Sequence, residues 1–126
     1  MSTRSLIAIE KSDGTYDTIY CHYDGYIENG VGEELFKNYK ERLKVENLIS
    51  LGNRRHLLNT KPKDELYNEA YETFKNLDKL KDELDMIDYI YIFNLNNEWE
   101  VLSYDNYAKK LTDIFEGKWN ERKIIV

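Results

Sequence analysis

The chain has one cysteine, two histidines and one proline among its 126 residues, and each shortage removes a class of function. A lone Cys21 cannot close an internal disulfide. A reducing cytoplasm is therefore the expected setting, with Cys21 a small buried side chain on a strand. His22, His56 and a single thiol cannot assemble a closed zinc site of the usual nitrogen and sulfur ligands. No metal and no cofactor are expected. No apolar run reaches the roughly 18 residues of a membrane span, and Met1–Ile9 lacks a signal-peptide core. A soluble intracellular chain is the expectation. Basic charge is short too: 18 Lys and Arg against 24 Asp and Glu leave a net charge of −6. Duplex DNA or RNA binders normally carry a basic face, so that class is set aside.

Catalytic signatures are equally sparse. Cys21 and His22 are adjacent, so on a strand they point to opposite faces and form no nucleophile–base pair. No Gly-x-Ser-x-Gly elbow surrounds a serine. Asp85 and Asp88 read as solvated carboxylates at a helix end. Gly25, Gly30 and Gly32 lack the lysine of a phosphate loop, and turn geometry explains them better. The reading is binding without catalysis.

What the chain does hold is tyrosine, eleven of them. Tyrosine-rich surfaces serve ligand pockets and oligomer contacts. The densest stretch is Asp17 to Tyr26, where an alternating strand pattern runs into a turn at Asp24-Gly25. Tyr20, His22 and Tyr23 then crowd the mouth of a hairpin. Such a platform suits a flat polar ligand.

The pattern predicts one domain over residues 1–126, of α+β class: a small antiparallel sheet of two hairpins packed against several helices. Residues 4–10 and 16–23 form the first hairpin around Ser12-Asp13-Gly14, and 87–94 with 99–103 the second. A helix starts near Gly32, with Leu35, Phe36, Tyr39 and Leu43 on one side, and another runs from Val45 to Leu51, stopped by Gly52. Leu66, Ala70, Phe74, Leu77, Leu80 and Leu84 predict an amphipathic helix or helix pair within 64–84. Asn106–Phe115 reads as a short helix, and 123–126 as an edge strand or intersubunit arm.

Two groups beyond the hairpin mouth carry open alternatives. Arg54-Arg55-His56 is either a solvated loop after a helix end or a set of donors for phosphate oxygens. Asn94 is either a turn former with Asn96-Asn97 or an amide that reads a base or ribose edge. Arg4 and Arg122 are further phosphate candidates, and Asp24 belongs to the platform.

Three runs carry a resemblance: the opening Met-Ser-Thr-Arg-Ser-Leu-Ile-Ala-Ile, then Ile-Tyr-Cys-His-Tyr-Asp-Gly-Tyr, and later Leu-Ile-Ser-Leu-Gly. Together they resemble a group of small phage and prophage proteins that includes the phage Thoeris anti-defence proteins of the first type. The likeness covers mostly the first 55 residues, with a looser match at Tyr-Ile-Tyr-Ile-Phe-Asn and Trp-Glu-Val. It implies a sponge in the cytoplasm of an infected bacterium. Such a protein binds cyclic ADP-ribose isomers (gcADPR) made by TIR enzymes and holds them uncleaved, some members also taking cyclic oligonucleotides. The family aromatic, often tryptophan, falls on Tyr23 and its late polar residue on Asn94. It implies a homo-oligomer as well, dimers building to larger assemblies such as a hexamer. From another class comes the rival reading of an acidic, nucleic-acid-mimicking inhibitor of a host defence nuclease. A phosphodiesterase is the third.

Overall fold

The computed structural model describes residues 2–57, 69–104 and 106–116. Strands β1 (Ser5–Glu10) and β2 (Tyr16–Cys21) form the first hairpin, in register from Ser5 opposite Cys21 to Glu10 opposite Tyr16. Its turn is fixed locally. Gly14 takes φ 87°, and the Asp13 carboxylate accepts from the Thr15 amide at 2.9 Å and the Thr15 hydroxyl at 2.6 Å.

Among the described residues six strands form one sheet in the order β3-β2-β1-β4-β5-β6. Here β3 is Glu72–Phe74, β4 Tyr89–Phe93, β5 Trp99–Ser103 and β6 Asn106–Lys110. The fold is α+β as expected, and a parallel pairing joins the two hairpins. β1 and β4 join them in parallel, Ser5 beside Tyr89 through Ile9 beside Phe93. Both central strands are covered on both faces, so they read as near-continuous apolar runs rather than clean alternation.

Two cores follow from the two faces. On one face Ile7, Ile9, Ile19, Cys21, Tyr91, Phe93 and Val101 pack under helices α1 (Val31–Asn38) and α2 (Arg42–Ser50). On the other, Leu6, Ala8, Ile90, Ile92 and Leu102 pack under α3 (Leu77–Lys81) and the 3-10 turn Asp82–Asp85. Each fully buried Ile or Leu contributes about 1.5–3 kcal/mol relative to exposure. Among the described residues no helix is long and apolar enough to cross a membrane.

Three expectations need correction. Within 64–84, residues 72–74 form β3 on the open edge of β2, Tyr16 opposite Phe74. The helix begins only after Asn76, whose side-chain oxygen accepts from the Lys79 amide at 2.9 Å. Residues 106–110 are strand β6, held by pairing to β5, and only 111–116 are helical. There Phe115 stacks on Phe36 at 5.1 Å. Leu43 is 68% exposed, because the chain breaks between α1 and α2 and restarts at Arg42. Arg122, residues 123–126 and residues 64–68 lie outside the described residues.

Candidate functional site

The C-terminal end of β2 is built from both sides. Toward the sheet it pairs with β1. On its outer side residues 54 and 55 return along it, with Arg54 N–H donating to the Tyr20 carbonyl at 2.8 Å. His22 N–H donates in turn to the Arg54 carbonyl at 3.1 Å, and Tyr23 N–H to that of Arg55 at 2.8 Å. Gly52, at φ 88° after α2, makes this return possible, since its backbone lies in the left-handed region.

Beyond Tyr23 the chain turns sharply. Asp24 takes φ 59°, and Gly25 N–H donates to the Thr3 carbonyl at 3.0 Å. A Cβ on Gly25 would sit 2.8 Å from that oxygen, so only glycine fits. Fully buried Tyr91 closes the arrangement, donating its hydroxyl to the Gly25 carbonyl at 2.7 Å. Burial holds that phenol well above its ordinary pKa.

A ledge of rings results. Tyr23, 38% exposed, stacks on His56 with centroids 4.7 Å apart and planes 21° apart. His22 meets Tyr23 edge-on at 4.5 Å. On the strand below, Tyr20 and His22 share a face, their hydroxyl and Nδ1 2.5 Å apart, while Ser2 Oγ lies 3.4 Å from Nε2. Tyr20 and His22 belong to the expected platform, and His56 to the expected Arg54-Arg55-His56 cluster. The period-two spacing of Tyr20 and His22 signals the first pair, whereas His56 arrives only through the return of the chain.

Of the expected site residues, Arg4, Tyr23, Asp24, Arg54 and Arg55 gather at this end of the sheet. Arg4 and Arg55 are exposed, as is Asp24. Arg54 is not a surface cation: its side chain is turned inward and 2% exposed.

Asn94 stands at the opposite end, after β4, where Ile9 pairs with Phe93. The length of β1 puts roughly 17 Å between the two ends. Asn94 is 9% exposed, and its side-chain oxygen accepts from the amides of Asn96 at 2.9 Å and Glu98 at 3.1 Å. That is a turn-forming role, so within one chain Tyr23 and Asn94 do not line one pocket. A cavity of about 470 Å³ lies at the Asn94 end, bordered by Glu10, Tyr16, Lys81 and Glu100.

Cys21 is fully buried and its thiol is pushed up to about 12 by burial. It is a poor nucleophile near neutral pH. Among the described residues no group of three or more His, Cys, Asp or Glu side chains could hold a metal ion. No family model matches the chain, and neither a characterised protein nor a solved structure shows significant similarity to it.

Proposed function

We propose that this protein binds and sequesters a cyclic ADP-ribose isomer made by TIR enzymes, acting as a phage or prophage anti-defence sponge in the infected bacterial cytoplasm. The observation that carries the reading is the exposed Tyr23 ring, stacked on His56 at the end of the sheet where Arg4 and Arg55 also lie. A purine stacked on such a ring gains about 1–3 kcal/mol, and arginines supply donors for phosphate oxygens. Sequestration needs affinity and no reactive group. Depleting a signal below micromolar concentration takes about −10 kcal/mol.

A second copy of the chain completes the ledge in this reading. Because Tyr23 and Asn94 stand at opposite ends of the sheet, one ligand touches both only where two chains meet. The homo-oligomer is therefore part of the proposal. The test is depletion followed by release. Protein is mixed with a cyclic ADP-ribose isomer and filtered, and the retained fraction is heat-denatured and chromatographed. Retention with intact release is expected. An altered product indicates an enzyme, and no retention removes the sponge.

A further inference from the structure

Arg54 presents an unresolved charge. Its Nε donates to the His56 carbonyl at 2.6 Å, but Nη1 is buried with no hydrogen-bond partner. Among the described residues Arg54 forms no ion pair. A guanidinium cannot shed its proton in a protein, so burial without a counter-ion is costly. Were only volume needed here, methionine or leucine would serve as well or better.

Charges of both signs act on its neighbours: at the Cys21 thiol Arg54 favours ionisation and Asp24 opposes it. The Tyr39 hydroxyl, on the C-terminal side of α1, is raised in pKa by burial, and the nearby positive charge of Arg54 opposes that rise. From α2, exposed Lys44 places Nζ 4.9 Å from the Tyr39 ring centroid. Glu34 is the acid that also acts on Tyr39, and its Oε1 accepts from Asn38 Nδ2 at 2.6 Å.

We infer that Arg54 is the buried half of an oxyanion socket whose ligand is a phosphate or pyrophosphate group, with Nη1 donating to a phosphate oxygen and Lys44 and the Tyr39 hydroxyl completing the contact. Two cations match a group that spreads more than one negative charge over several oxygens, which a single carboxylate does not. This deepens the proposed reading by assigning the phosphate contact, and it rests on that reading only for the remainder of the ligand.

The experiment is thermal unfolding of the full chain in sodium pyrophosphate against sodium chloride at matched ionic strength. Pyrophosphate should raise the Tm of the wild type by several degrees and leave that of Arg54→Met unmoved. An equal rise in both proteins, or none in the wild type, overturns the socket. If Arg54→Met does not fold, Lys44→Met carries the test: it should lose at least half of the pyrophosphate shift, and an unchanged shift overturns the proposal. Titration with a cyclic ADP-ribose isomer separates the two claims. No isomer binding beside an intact pyrophosphate shift removes the sponge and keeps the socket. Equal isomer binding by wild type and Arg54→Met keeps the sponge and removes the socket.

Discussion

The hydroxyl of Tyr91, in the central strand β4, donates at 2.7 Å to the carbonyl of Gly25, just past the ring ledge. A buried hydrogen bond thus ties the hairpin mouth to the middle of the sheet. Tyr91→Phe removes the donor, keeps the ring and strands a buried carbonyl, at a cost of about 1–3 kcal/mol. Calorimetry should show a Tm lowered by several degrees with one cooperative transition retained. An unchanged Tm would mean that the mouth is held by Gly25 N–H and Thr3 alone.

Gly52→Ala acts on the same end from another direction. At φ 88° an L side chain is strained, and the new Cβ would fall 2.2 Å from the Glu69 carbonyl oxygen. The loss should exceed about 1 kcal/mol, and the return segment carrying Arg54 and Arg55 should loosen first. Hydrogen exchange at the Arg54 and Tyr23 amides checks this. Protection equal to wild type would contradict it.

Asn94→Ala is expected to act on stability. The Asn94 side-chain oxygen serves two turn amides, and Arg42 Nη1 donates to its backbone carbonyl at 3.3 Å. Losing the side-chain acceptor should cost about 1–2 kcal/mol, read as a lower midpoint in urea. Asn94→Asp, which keeps the oxygen, should recover most of it. A midpoint unaltered in Asn94→Ala would contradict the turn-forming role.

These three sites show what was readable from residues alone. Both hairpins were legible, because turn glycine and alternation agree at Gly14 and along Tyr16–Cys21. The span 64–84 misled, since Leu77, Leu80 and Leu84 do keep helical spacing while Thr73 and Phe74 are claimed by the open edge of β2. That pairing is a tertiary effect that overrides local period. Asn76 was the available local sign of a helix start. Tyr23 and Asp24 could be picked out from composition and the turn. The distance to Asn94 could not, because it depends on the parallel pairing of β1 with β4. Nor could the inward turn of Arg54, which follows from the bridge between residues 21 and 54.

Cys21 makes stability fall in alkali. Burial raises its folded pKa from 9.0 to about 12, so the fold favours the neutral thiol. The stability linked to it is fully present below the unfolded pKa and is lost as pH rises from about 9 toward 12. Tyr91, also raised by burial, adds to the loss above its unfolded value near 10. Urea midpoints across this window should decline, less steeply in Cys21→Ala. A thiol reagent at neutral pH should label the wild type only on unfolding; fast labelling of the folded chain would contradict this burial.

The central claim is that the ring ledge holds a nucleotide, and calorimetric titration of the full chain with a cyclic ADP-ribose isomer tests it most directly. The account predicts sub-micromolar binding by the wild type and at least a tenfold loss in Tyr23→Ala, matching about 1–3 kcal/mol for one stacked base. The free variant should melt close to the wild type, since Tyr23 is 38% exposed. No binding by the wild type, or equal affinity in Tyr23→Ala, would contradict the account.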